Sequence, residues 1–194
     1  MKYQWNKIIV LSLLISFIYS LDCLAQKNKS IIISSKESIH IDSTQYYQES
    51  YRPQFHFTPE KKWMNDPNGM LFYKGTYHLF YQYYPEDIVW GPMHWGHATS
   101  TDLIHWKHQK IALFPDELGL IFSGSAVMDV DNTSGLGTKE NPPMIAIFTY
   151  HNMEFEKAGK VNTQTQGLAY SLDEGMTWKK YEGNPIIGNA TMRD

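Results

Sequence analysis

A single cysteine, Cys23, stands in this chain of 194 residues. It lies within the first 25 residues, and removal of that segment leaves no thiol, which excludes disulfides and cysteine catalysis from the remainder. Charge of one sign is scarce as well: 17 Lys and Arg stand against 20 Asp and Glu, the formal net charge is -3, and no block of like charge occurs. The electrostatic footprint of a nucleic-acid binder or of a protein seated on an anionic membrane is therefore missing, and a neutral partner fits better. Long apolar runs reduce to one, from Ile8 to Tyr19, behind Lys2 and Lys7 and ahead of Cys23-Leu24-Ala25. It is shorter than the ~20 residues that cross a bilayer and reads as a secretory signal peptide over residues 1–25. A secreted or periplasmic protein follows, with no integral membrane span after cleavage. Lipid attachment at Cys23 is a lesser alternative, against which Asp22 counts.

Sustained helical periodicity is also absent, and what is present points to an all-β fold. Residues 26–50 are rich in Lys, Ser, Gln and Thr and read as a leader. From residue 51 to 194 the chain runs in short apolar or aromatic stretches cut by Gly, Pro, Asn and Asp. The predicted strands are Met70–Tyr73, Tyr77–Tyr83, Trp95–Ser100, His105–Ala112, Phe122–Asp129, Met144–Tyr150, Gly167–Ser171 and Thr177–Tyr181. Lys74-Gly75 predicts a tight hairpin between the first two.

Within this pattern a segment repeats. Gly96-His97-Ala98-Thr99-Ser100-Thr101-Asp102 matches Gly167-Leu168-Ala169-Tyr170-Ser171-Leu172-Asp173 at Gly, Ala, Ser and Asp, and each copy runs on to Trp-Lys, at Trp106-Lys107 and Trp178-Lys179. The separation is long enough for one four-stranded blade, so the expected architecture is a β-propeller. The second copy has the form of an Asp-box, in which Asp and Gly shape a hairpin turn and Trp packs beneath it. Asp102 and Asp173 are accordingly read as structural. Residues 51–194 supply only two to three blades, which makes the chain read as an N-terminal fragment of a closed ring.

Trp63-Met64-Asn65-Asp66-Pro67-Asn68-Gly69 places one carboxylate among aromatic, amide and turn residues. Pro67 fixes its own φ and pushes Asp66 toward extended backbone, while Asn68-Gly69 supplies turn chemistry ahead of the strand at Met70. Trp63 offers a flat apolar face to a sugar ring, and Asn65 offers both a donor and an acceptor to hydroxyls. Asp66 is thus a candidate nucleophile, with a plain surface turn as the alternative. Phe122-Ser123 recurs after Asp66 at about a blade length, and Arg193-Asp194 follows after another. Asp66, Ser123 and Asp194 are therefore expected to face one central funnel. Gln82 and Trp90, on and just after the second strand, are candidates for the rim of the same pocket or for ordinary core and edge positions.

Two further patterns are set aside. His94-x-x-His97 and His105-x-x-His108 resemble metal ligands, but side chains three apart on a strand point to opposite faces. Asp129 to Glu140 has acidic residues at calcium-loop positions, yet Ser134 stands where the bend requires Gly, so a long hairpin loop is predicted. No metal and no cofactor is expected.

Trp63 to Gly69, Phe80-Tyr81-Gln82-Tyr83, Trp90-Gly91-Pro92-Met93-His94-Trp95-Gly96-His97, Phe122-Ser123-Gly124-Ser125 and Arg193-Asp194 together resemble the invertase, inulinase and levanase family, glycoside hydrolase family 32. The likeness runs from about Arg52 to the last residue, and Phe114-Pro115-Asp116-Glu117-Leu118-Gly119 looks most like levanases and exo-inulinases. The resemblance implies a five-bladed propeller with a fructose pocket, followed in that family by a C-terminal β-sandwich that is absent from this sequence. It implies that Asp66 attacks the anomeric carbon of a β-fructosyl unit with retention, and that Asp194 stabilises the transition state with Arg193 nearby. Trp63, Asn65, Gln82, Trp90, Phe122 and Ser123 would bind substrate, a fructan or sucrose. The family takes its acid/base carboxyl from a Glu-Cys motif, and no Glu-Cys pair occurs here. Competing expectations are an arabinan- or xylan-directed propeller glycosidase and a carbohydrate-binding propeller without catalysis. Sialidases also carry Asp-boxes, but no arginine triad is seen.

Overall fold

The computed structural model describes residues 47–188. The expected signal peptide with Cys23, most of the leader, and Arg193 and Asp194 lie outside the described residues. Two four-stranded antiparallel meanders follow one another. The first sheet is β1 (Trp63–Tyr73), β2 (Thr76–Tyr84), β3 (His94–Ser100) and β4 (Lys107–His108); the second is β5 (Leu120–Met128), β6 (Met144–His151), β7 (Gln164–Ser171) and β8 (Lys179–Lys180). A short helix, α1 (Met153–Lys157), interrupts the second between β6 and β7.

Several elements have direct local causes. Lys74 and Gly75 both have positive φ, 47° and 82°, and close the predicted hairpin at the pair Tyr73↔Thr76. Between β7 and β8 the Asp173 carboxylate accepts from Ser171 Oγ at 2.7 Å, Thr177 N at 2.8 Å and Thr177 Oγ1 at 2.6 Å, and the Trp178 indole donates to Gly175 O at 3.0 Å. Asp102 does the same work between β3 and β4, accepting from Ser100 Oγ at 3.0 Å and His105 N at 2.7 Å, while Trp106 Nε1 donates to Leu103 O at 3.1 Å. The repeat is thus one turn built twice, at the same place in each blade. α1 is capped by Asn152, whose side chain accepts from Phe155 N, with Glu154 and Glu156 in its first turn.

Three expectations are corrected. β1 begins at Trp63 rather than Met70, because Asn68-Gly69 makes an irregularity inside the strand instead of a turn before it. The stretch His105–Ala112 yields only the two-residue β4, since its start is held by Asp102 side-chain bonds rather than by a ladder. α1 was not anticipated; five residues are too few to show a helical period.

The main core lies between the sheets: Phe80, Trp95 and Leu113 of the first blade meet Ile121, Met144, Ala146, Phe148, Tyr150 and Ala169 of the second. Tyr81, Tyr83 and Ala98 form a smaller cluster with Phe57, Met64, Trp106 and Ile111. The suspected metal pairs go elsewhere. His94 donates from Nδ1 to Pro92 O at 2.8 Å, His105 meets Asp102 Oδ2 at 2.7 Å, and His108 packs on Phe57. In the β5–β6 loop the Asp129 carboxylate accepts from Thr133 N and Oγ1 and from Ser134 N, each at 2.8 Å, which holds its pKa down to about 2.

His97 instead stacks on Phe80, with centroids 4.4 Å apart, and its Nε2 lies 3.1 Å from His78 Nδ1. Burial, with the neighbouring His78 as a second cause, lowers the His97 pKa to about 3; burial lowers His78 as well, partly opposed by Glu174. An unfolded chain takes up a proton on His97 near its ordinary value of 6.5, whereas the folded chain does so only near 3. Stability is therefore lost as pH falls through that interval, at up to about 1.4 kcal/mol per pH unit from His97. Thermal unfolding should show a lower melting temperature at pH 5 than at pH 7, and His97→Gln should flatten the dependence. Equal slopes in both proteins would refute this source.

Candidate active site

β1 and β5 are the first strands of the two blades, and they run close together. Gly69 has a φ of 46°, and a Cβ there would lie 2.9 Å from Ala126 Cβ on β5. Each strand breaks register near this contact, β1 between Met64 and Pro67 and β5 between Ile121 and Gly124. The breaks release Asn65 and Asp66 on one side and Phe122 and Ser123 on the other from regular pairing. Bulges re-aim side chains in this way, and here the two irregularities face each other.

Ser123 Oγ donates to Asp66 Oδ2 at 2.7 Å. The other oxygen, Oδ1, accepts from Asn65 Nδ2 at 3.3 Å, and Asn65 Oδ1 accepts from Trp63 Nε1 at 2.9 Å. A chain of donors thus ends on the carboxylate from both sides while Asp66 remains exposed to solvent. Trp90, 44 % exposed, meets the ring of Phe122, the chain neighbour of Ser123, edge-on with centroids 6.4 Å apart.

The floor beneath is polar and tightly held. Trp95 Nε1 donates to Phe122 O at 3.0 Å, and Gln82 Nε2 donates to Ile121 O at 2.9 Å, so the carbonyls at the β5 break are fixed by residues of the first blade. Gln82 is buried at 2 % exposure, with its amide committed to the Ile121 carbonyl. The sequence-predicted residues therefore divide into groups. Trp63, Asn65, Asp66 and Ser123 are joined by hydrogen bonds, Trp90 and Phe122 by ring contact, and Gln82 is tied to the Ile121 carbonyl beside Phe122.

Two contributors escaped the sequence reading. Asn68, taken for a turn residue, is buried with its amide 3.3 Å from both Trp95 Nε1 and Gln82 N. His151, at the end of β6, stacks on Phe122 with centroids 4.4 Å apart and planes 5° from parallel. The signal available for His151 was a polar aromatic ending an apolar run just before the helix-capping Asn152. Among the described residues, no cluster of His, Cys, Asp or Glu is arranged to hold a metal ion.

A solvent-exposed carboxylate gripped by a hydroxyl and an amide, with the hydroxyl's chain neighbour a phenyl ring that an indole meets edge-on, suits attack on a sugar that presents both hydroxyls and an apolar face. The sequence model of the glycosyl hydrolases family 32 N-terminal domain matches residues 56–194. The chain belongs to that family. It is 52% identical over 165 residues to a levanase of Bacillus subtilis (strain 168), covering 85% of this chain and 23% of that protein. Against an extracellular exo-inulinase of Aspergillus niger it is 49% identical over 154 residues, covering 74% of this chain and 29% of the relative. Among solved structures, exo-inulinase from Aspergillus awamori superposes with a TM-score of 0.66 at 45% identity, over 76% of this chain and 31% of that one. A β-fructofuranosidase of Schwanniomyces occidentalis complexed with fructosyl-erythritol gives 0.64 at 44%, over 76% and 28%. The chain thus spans less than a third of the length of these relatives. Its two sheets are two blades of the family's β-propeller.

Proposed function

We propose that the protein hydrolyses terminal β-D-fructofuranosyl linkages in fructans such as levan and inulin, or in sucrose. The observation that carries this reading is the Ser123–Asp66 hydrogen bond, which joins the irregular segments of the first strands of the two sheets. Asp66 attacks the anomeric carbon of the fructosyl unit and forms a covalent intermediate, which water then releases with retention of configuration. Ser123 and Asn65 hold the carboxylate oriented for that attack. Trp90 and Phe122 flank the sugar ring, with Trp63 beside them and Gln82 below. Asp194, with Arg193, grips sugar hydroxyls and stabilises the transition state. The steps assigned to these residues call for neither metal nor cofactor. Export through a signal peptide at residues 1–25, followed by a leader to residue 50, agrees with the extracellular designation of the Aspergillus relative.

A retaining mechanism needs a second carboxyl about 5–5.5 Å from the nucleophile to protonate the leaving oxygen. With no Glu-Cys pair in the sequence, the 194-residue polypeptide is expected to give no sustained hydrolysis. The product of the complete coding sequence is expected to release fructose from levan, inulin or sucrose, and the first-formed anomer, followed by NMR, is expected to keep the substrate's configuration. Inversion would move the protein to the arabinan- and xylan-directed propellers. Binding without any release would make it a carbohydrate-binding propeller, and steady turnover by the 194-residue polypeptide would refute the assignment of the missing acid.

A further inference from the structure

Phe122 sits where β5 leaves its ladder; Trp95 holds its carbonyl, and its ring lies between two aromatic neighbours. One neighbour, Trp90, is nearly half exposed and touches the ring only edge-on. The other is His151, 5 % exposed, which lies flat against the phenyl ring. Both imidazole nitrogens are engaged: Gln164 Nε2 donates to Nδ1 at 3.4 Å, and Nε2–H donates to Glu156 Oε2 at 3.3 Å. Gln164 is buried on β7, and Glu156 stands on α1, whose first turn Asn152 caps directly after His151. The short helix thus carries a carboxylate over the imidazole, and the imidazole presents a fixed plane to the phenyl ring.

We propose that His151, held by Glu156 and Gln164, is a positioning residue that sets the plane of the Phe122 ring and thereby the affinity of the site for its sugar. The inference rests on reading the Asp66 site as a fructoside site. An aliphatic side chain fills the same space without defining a plane, whereas a second flat ring preserves it. An aromatic pair of this geometry carries enough energy to change binding about three- to tenfold when it is lost.

The test uses the product of the complete coding sequence, with KM, kcat and melting temperature measured on whichever of sucrose, inulin and levan is cleaved. His151→Leu is expected to raise KM about three- to tenfold with kcat within about twofold of wild type, and His151→Phe to bring KM back to within about twofold. Glu156→Ala changes a half-exposed side chain and leaves the core intact; it is expected to raise KM about two- to threefold, since the ring keeps its stack but loses one of its two hydrogen bonds. A lower melting temperature with unchanged KM in His151→Leu and Glu156→Ala would reduce His151 to a packing residue and overturn the proposal. Equal impairment by Leu and Phe would overturn it too. Fructose release that is insensitive to His151 sinks this inference alone, whereas no release by the wild type sinks the fructoside reading and the inference with it.

Discussion

In the product of the complete coding sequence, replacing Asp66 by Asn is expected to lower kcat/KM for fructose release by at least about 10³-fold, with little change in melting temperature. The substitution preserves size and can keep the contact with Ser123, but an amide is too weak a nucleophile to displace the leaving group. Its folding effect should be small because Asp66 is exposed and stands in a break of the ladder, so no buried ion pair or core contact is removed. Ser123→Ala serves as the graded control. It deletes one hydrogen bond to a carboxylate, at 2.7 Å, and bonds of that class are worth about 1.5–3 kcal/mol, or roughly ten- to a hundredfold in rate. A steady-state assay beside a thermal melt separates the outcomes. If Asp66→Asn retains more than a tenth of wild-type kcat/KM while Ser123→Ala is silent, another group attacks the sugar and the site has been misplaced.

The size of that effect follows from an arrangement that the sequence announced only in part. Short apolar and aromatic runs between turn residues were enough to locate most strands, and the two Ser-x-Asp…Trp segments gave the repeat because each turn is held by side-chain bonds that require those residues. The repeated glycines have an equally direct cause, since a Cβ at Gly96 or Gly167 would lie 2.4 or 2.5 Å from the rings of Tyr81 and Tyr150. Asp66, Ser123 and Asp194 were grouped from their spacing; Ser123 hydrogen-bonds to Asp66, and Asp194 lies outside the described residues. Less legible was the backbone of Asp-Pro-Asn-Gly, because the residues that make a turn also make an irregularity inside a strand, and only the neighbouring β5 decides which forms. Gln82 could be read as a rim residue or as a core residue for a related reason: an amide in an aromatic strand carries no mark of whether it faces sugar or a carbonyl at a broken ladder. The partnership of Phe122 with His151 crosses from β5 to β6, and no local pattern encodes it.

Trp95 ties the core to the pocket, and its loss is expected to be the most destabilising single change in the described residues. The indole is fully buried and packs against Phe80 of its own blade, centroids 5.7 Å apart, and Phe148 of the next, 6.2 Å. Truncation to Ala removes a large apolar surface and leaves a cavity between the blades, so denaturant unfolding should show a loss of about 3–5 kcal/mol. Trp95→Phe separates packing from polarity. It keeps most of the apolar contact but deletes the N–H that holds Phe122 O at 3.0 Å, leaving that carbonyl short of a donor at a cost of about 1–3 kcal/mol. That carbonyl belongs to Phe122, whose ring is proposed to border the sugar, so on that reading the Phe variant should also raise KM, while the Ala variant should lose stability before its kinetics can be compared. Gln82→Leu removes the companion bond to Ile121 O and should act in the same direction as Trp95→Phe. If Trp95→Phe lowers stability but leaves KM where it was, the break in β5 is held by its own backbone, and the first blade serves the pocket through Asp66 and its neighbours alone.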